Sequence, residues 1–137
     1  DSLRGLVSQW KMHHAGIVCV LEMEGDFSDL GESINITVYR IVQEALSNIS
    51  KHAQAGQVRV HLRRMIVNED EADLLLLQVR DNGKGLGSGQ IAEGFGLLGM
   101  RERAIAAGGR FALSNIPGEG ACIDVLLPLN LFTGRKI

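Results

Sequence analysis

The sequence predicts a two-layer α/β sandwich, a mixed five-stranded sheet with about three helices on one face. Three observations predict it. Apolar residues recur with a period near 3.6 in some stretches and near 2 in others, in the order α-β-α-β-β-loop-α-β-β. Residues 57–67 alternate cleanly, with Val58, Val60 and Leu62 on one face and Arg59, His61 and Arg63 on the other, as a half-solvated strand does. A glycine-dense stretch then separates the central strands from the last helix and hairpin.

The elements follow in order. Residues 2–14 carry Leu3, Leu6, Val7 and Trp10 at i, i+3, i+4, i+7, an amphipathic leading helix. Residues 17–23 are an apolar strand. Asp29 followed by Glu32 resembles a capping box opening a long helix to about His52, with Val38, Ile41, Val42, Ala45 and Ile49 on its apolar face. Gly56 ends that segment. After the strand at 57–67, the acidic run Glu69-Asp70-Glu71 reads as a solvated hairpin turn, and 74–80 as a strand paired antiparallel to its predecessor. Residues 97–107 form a helix stopped by Gly108-Gly109. The strands 110–114 and 121–127, joined at Pro117-Gly118, close the fold.

Composition bounds the function. A chain of 137 residues, 45% hydrophobic and 22% charged, supports one domain (1–137) with its own core and excludes a disordered tail or a fibre. The net charge of −2 argues against bulk affinity for nucleic acid or an anionic membrane surface. No apolar run approaches the ~20 residues of a membrane span. The chain begins at Asp1 rather than Met, which fits a piece excised from a longer protein. Cys19 and Cys122 lie far apart in apolar stretches with no CxxC or histidine partner spacing, so they read as buried free thiols rather than a metal site.

Three constellations carry chemistry. Glu44, Asn48 and His52 stand four residues apart on one helical stripe, beside the apolar face. A carboxylate one turn before an amide is an oxygen ledge suited to Mg²⁺, which takes one or two protein ligands and completes its shell with phosphate and water. A plain polar helix edge has the same pattern. Asp81-Asn82-Gly83-Lys84-Gly85 follows a strand directly, either as a simple turn or as an acid aimed into a pocket where glycines let a flat ligand approach the backbone. Such an acid accepts a hydrogen bond from the exocyclic amine of adenine and repels the carbonyl oxygen of guanine, a discrimination worth about 1.5–3 kcal/mol. Gly94-Phe95-Gly96-Leu97-Leu98-Gly99 is literally GxGxxG, but the polar residues 88–93 precede it where a dinucleotide fingerprint needs a hydrophobic strand. What survives is glycines leading into a helix N-terminus, a phosphate cradle. Seven of the seventeen glycines fall within 83–99, a density that demands unusual backbone geometry or a loose loop.

In this order the three segments resemble the Bergerat-type (GHKL) ATP-binding domain shared by gyrase B, the Hsp90 chaperones, MutL and histidine kinases. Residues 39–53 (YRIVQEALSNISKHA) look like its N box, 81–85 (DNGKG) like its G1 box and 94–103 (GFGLLGMRER) like its G2 box. The wording is similar to sensor histidine kinases of the nitrate-sensor (NarX/UhpB/DesK-like) class, over nearly the whole chain.

The resemblance implies roles position by position. Asn48 would hold Mg²⁺ and bridge to the phosphates, and Glu44 would orient metal-bound water or act as the local base. Lys51 would be the phosphate-facing cation, and His52 would belong to the cofactor-binding set. Asp81 would take the adenine amine, with Gly83 and Gly85 shaping the pocket floor. Residues 86–94 would be a mobile ATP lid, hinged at Gly94, Gly96 and Gly99. Leu97, Met100, Val58 and Ala53 would be apolar walls or, equally, core. One position departs from the family: a threonine that commonly supports the adenine-binding aspartate is replaced in Gly120-Ala121, so a weaker adenine grip or a substituting water is expected.

The implied activity is a protein histidine kinase's: ATP and Mg²⁺ bound here, the γ-phosphate passed to a histidine on an upstream dimerisation domain and then to a response regulator. The parent is expected to be a homodimer. His13-His14 at the end of the first helix lack the neighbouring acid of a phosphoacceptor and read as exposed or linker histidines; His61 reads as part of a charged strand face. The alternatives are a regulatory ATP-binding module, an anti-sigma-type serine kinase of the same fold, or a domain that binds no nucleotide. The implied location is cytoplasmic, with an inner-membrane sensor as one form of the parent.

Overall fold

The computed structural model describes residues 2–53, 56–66, 73–83, 96–116 and 120–129. Among these the elements are α1 (Ser2–Met12), β1 (Val18–Glu24), α2 (Glu32–Asn48), β2 (Gln57–Ile66), β3 (Asp73–Asp81), α3 (Leu97–Ala106), β4 (Arg110–Ile116) and β5 (Gly120–Pro128). A wide π-helical turn, Ile49–Ala53, continues α2. The expected lid at 86–94, with Lys84, Gly85 and Gly94, lies outside the described residues, as do the acidic run at 69–71 and the Pro117-Gly118 turn.

The five strands form one sheet in the order β1-β2-β3-β5-β4. β1 runs parallel to β2 because α2 carries the chain back between them, while the remaining pairs are antiparallel. The expected mixed sheet is therefore what forms. Alternation decides which side chains face the helices. On β3, Asp73, Leu75, Leu77, Val79 and Asp81 are buried, while the residues between them are more exposed. The same parity buries Val58, Val60 and Leu62 on β2 and Ile123, Val125 and Leu127 on β5.

Against that face lie Leu3 and Val7 of α1, Val38, Ile41, Val42, Ala45 and Leu46 of α2, and Leu97, Met100 and Ala104 of α3, all in one continuous core. Ile41 and Val42 are fully enclosed; each such side chain stabilises the fold by about 1.5–3 kcal/mol relative to exposure. The opposite face of the sheet carries polar side chains paired across strands: Arg59 with Glu22 at 3.4 Å, His61 with Glu24, and Gln78 donating to Asp124 at 2.6 Å. Both cysteines are free and buried, as expected.

One expectation fails. Asp29 does not cap α2. The residue before the helix is Gly31, at φ 91° with no side-chain cap, and Asp29 instead accepts a hydrogen bond from Arg64 Nη1 at 2.7 Å. The guanidinium of Arg64 also donates to the Asp26 carbonyl at 2.8 Å and through Nε to Asp73 at 2.9 Å. A tertiary cation thus outcompetes the local cap. At the other end of the chain's last helix the expected glycine stop holds: Gly108 takes φ 83° and Gly109 donates to the Ala104 carbonyl at 2.8 Å.

Candidate nucleotide site

A small cleft opens between α2 and α3 over one end of the sheet. Every layer contributes to it: Ala45 and Asn48 from α2, Ile49 from the wide turn, Val79 and Asp81 from β3, Leu97 from α3, Leu113 from β4, and Ala121 and Ile123 from β5. The wall is apolar except for one carboxylate and one amide, facing each other across strand and helix.

Asp81 is the last inward-facing residue of β3, so strand parity alone turns its side chain into the helical layer. It is 7% exposed, and no cation pairs with it among the described residues. Burial raises its carboxyl above the ordinary carboxylate range, opposed by hydrogen bonds from the backbone N–H groups of Gly83 and Ala121. The Gly83 bond, to Oδ1, is 2.8 Å long. The Ala121 bond bears on the departure noted above: where the side-chain hydroxyl is missing, the backbone of the same residue still supports the acid. Gly120 makes this approach feasible. It holds φ 113°, and a Cβ there would overlap the Asp81 carbonyl oxygen.

Asn48 stands at the end of α2, one turn beyond Glu44. Glu44 is half-buried and lies against Gly96, where a Cβ would fall 2.5 Å from Glu44 Oε2. Gly96 takes φ 66° and starts α3 by accepting the N–H of Met100 at 3.0 Å. Glu44 therefore meets the N-terminal end of α3, where the helix dipole favours a carboxylate. Glu44 and Asn48 offer oxygen donors suited to Mg²⁺. No group of three or more His, Cys, Asp or Glu side chains sits together among the described residues, so Mg²⁺ held here would draw its remaining ligands from phosphate and water.

The other expected residues distribute unevenly. Leu97 lines the cleft, whereas Met100, 1% exposed, and Val58, on the helix-facing side of β2, are core residues and neither of them lines it. Gly83 is buried beside Asp81, and Gly99 lies half-buried in the first turn of α3. Lys51 is exposed on the wide turn. The side chains of His52 and Ala53 lie outside the described residues. His13 and His14 bind back to the carbonyls of Gln9 and Trp10, and the His14 ring stacks on Trp10 at 4.2 Å; neither lines the cleft. Five wall residues escaped the sequence reading: Ala45, Ile49, Val79, Leu113 and Ile123. Their alternation marks them as core-facing, and nothing local distinguishes a core residue from one at the rim of a cavity.

Asn82 was also missed. Its Oδ1 accepts the N–H groups of Gly56 at 2.9 Å and Gln57 at 2.8 Å, and its own N–H donates to the Gln57 carbonyl at 3.2 Å.

The comparisons with known proteins agree with this geometry. The chain is 36% identical over 128 residues to the signal transduction histidine-protein kinase/phosphatase UhpB of Salmonella typhimurium, covering 93% of this chain and 24% of that protein. It is 33% identical over 117 residues to the histidine-protein kinase/phosphatase DegS of Brevibacillus brevis (85% and 29%), and 40% identical over 94 residues to the sensor protein VraS of Staphylococcus aureus (68% and 25%). The chain thus spans about a quarter of the length of these relatives. The histidine kinase domain of the Erythrobacter litoralis EL346 blue-light activated histidine kinase superposes with a TM-score of 0.73 at 20% identity, over 93% of this chain and 59% of that one, a likeness of fold. Residues 34–131 match the family described as histidine kinase-, DNA gyrase B-, and HSP90-like ATPase, and the chain belongs to that family as its ATP-binding domain.

Proposed function

We propose that this domain binds ATP with Mg²⁺ and serves as the catalytic domain of a sensor histidine kinase, presenting the γ-phosphate to a histidine on an upstream dimerisation domain, from which it passes to a response regulator. The observation that carries this is Asp81: a buried acid with no cation beside it among the described residues, on the same apolar cleft as Asn48. Such an acid is held by backbone N–H groups but its charge is not balanced, and an entering amine donor gives it a further partner.

The roles follow from placement. Asp81 accepts the exocyclic amine of adenine, while Ala45, Ile49, Val79, Leu97, Leu113 and Ile123 exclude water from the ring. Asn48, on the cleft wall at the end of α2, would hold Mg²⁺ through its amide oxygen at the phosphate end, and the metal would supply neutralisation of phosphate charge. Lys51, one turn on, adds a cation at that end. Glu44, held at the α3 N-terminus, orients water or acts as the local base for the incoming imidazole. Gly96 and Gly99 keep the first turn of α3 bare so that phosphate can reach its N–H groups. Catalysis of this kind is positioning and charge neutralisation rather than covalent chemistry by the protein.

Calorimetric titration of the chain with Mg·ATP is expected to show one saturable site. Incubation with labelled ATP is expected to leave the chain unlabelled, and addition of the parent's dimerisation domain to give acid-labile phosphohistidine. Absence of nucleotide binding overturns the reading; labelling of the isolated chain overturns the location of the acceptor.

A further inference from the structure

We infer that Asn82 is a positioning residue that sets the span between the base end and the phosphate end of the cleft. The inference rests on the nucleotide reading above.

The two ends of the site belong to different parts of the chain. Asp81 closes β3, and Asn48 closes α2. After Asn48 the chain passes through the wide turn Ile49–Ala53 and enters β2 at Gln57. An i→i+5 turn has looser geometry than the α-helix it extends, so the position of Asn48 relative to the sheet is not dictated by helical hydrogen bonding alone. Something must anchor the far end of that turn. The Asn82 side chain does so, accepting the N–H groups of Gly56 and Gln57, 26 and 25 residues earlier. The Gly56 carbonyl in turn accepts the N–H of Val18 at 2.9 Å, which ties the start of β1 to the same knot. One amide oxygen next in sequence to the base-binding acid therefore joins the return path from the phosphate-binding helix to the strand that carries the acid.

The anchor is separable from the fold. Gly56, Gln57 and Asn82 are exposed, so water satisfies both N–H groups when the amide is removed. What is lost is the fixed distance. A ligand touching only the base end does not sense this distance, whereas one reaching both ends does. Displacements of about 1 Å in such a span have costs near a hundredfold in positioned reactions, and a partly compensated one should cost about tenfold in affinity.

The experiment measures Mg·ATP and adenosine binding to the 137-residue chain by calorimetry and NMR titration. Asn82→Ala is expected to weaken Mg·ATP about tenfold and change adenosine by less than twofold. Asn82→Asp, which keeps an acceptor for both N–H groups, is expected to return Mg·ATP affinity to within about threefold of the parent. Should Asn82→Ala not fold, Asn82→Ser, whose shorter side chain reaches one N–H at most, is read in the same way. Equal losses for both ligands, no loss for either, or failure of Asn82→Asp to recover overturns the inference. A parent chain that binds neither ligand overturns the nucleotide reading instead.

Discussion

Strand β3 begins and ends with a buried aspartate, and the two have opposite fates. Asp73 and Asp81 are both 7% exposed, and both face the helical layer because eight residues preserve strand parity. Roughly 26 Å of strand separates them. Asp73 meets the guanidinium of Arg64, which binds it through Nε and Nη2 and reaches on to Asp29 and the Asp26 carbonyl. Among the described residues, Asp81 meets only backbone N–H groups and an apolar cleft. A buried acid with a cation is finished: its charge is compensated and the ion pair staples β2, β3 and the loop before α2. A buried acid without one holds an uncompensated burial cost, which a donor from outside can relieve. Burial alone distinguishes neither end; the partner does.

The comparison breaks most visibly at Asp73. Arg64→Met leaves that carboxylate buried and unpaired, and is expected to lower stability by about 3–5 kcal/mol, read from the denaturant midpoint. The double variant Arg64→Met/Asp73→Leu should recover most of the loss, since two apolar groups replace the pair. Mg·ATP affinity of the folded protein should stay within about twofold. A small stability change would mean that the ion pair is no more valuable than an exposed one.

At Asp81 the same logic runs backwards. Asp81→Asn removes a charge that burial disfavours, so stability at neutral pH should be equal to or above that of the parent, while Mg·ATP affinity falls about 10–100-fold through loss of a charge-assisted acceptor. The pH dependence has a definite sign. The folded-state pKa is raised above the unfolded value, so the folded protein binds the extra proton first, and this contribution to stability is complete below the ordinary aspartate range. It is lost as pH rises through the raised folded value. The stability gap between Asp81→Asn and the parent should therefore be widest at neutral pH and narrow on acidification, read from denaturant midpoints across the pH series. A parent clearly more stable than Asp81→Asn at neutral pH, with that advantage lost on acidification, would instead place a cation beside Asp81.

The difference between the two acids was only half legible in the sequence. Asp81 stood out because a strand ran into it and glycines followed. Asp73 did not, because its partner is nine residues away across a hairpin and its inward parity depends on where the strand begins. Asp29 was misread for a related reason: a capping pattern is local, but the cation that claimed it lies 35 residues on. Asn82 was invisible because amide acceptors carry no periodicity. The fold itself was readable, since helix and strand periods are repeated signals that survive a few exceptions. The loss of a threonine at Ala121 was readable as a departure, but its compensation through a backbone N–H was not, since that depends on how closely Gly120 lets β5 approach Asp81.

A third acid sharpens the contrast. Among the described residues, Glu44 has neither the cation of Asp73 nor the apolar isolation of Asp81; it is half-buried against the first residue before α3. Its position depends on Gly96 having no side chain. Gly96→Ala forces an L-residue into the left-handed region at φ 66°, worth about 1–2 kcal/mol of stability, and pushes the Glu44 carboxylate aside. If that carboxylate acts in transfer, the rate of phosphohistidine formation in the parent kinase should fall about tenfold while Mg·ATP affinity changes less than threefold. Glu44→Gln should lower the rate by a similar factor, and the double variant should be little slower than either single one, because both remove the same group. Additive losses would mean that Gly96 acts through phosphate contact at the helix end, and that Glu44, like Asp73, is there for the fold.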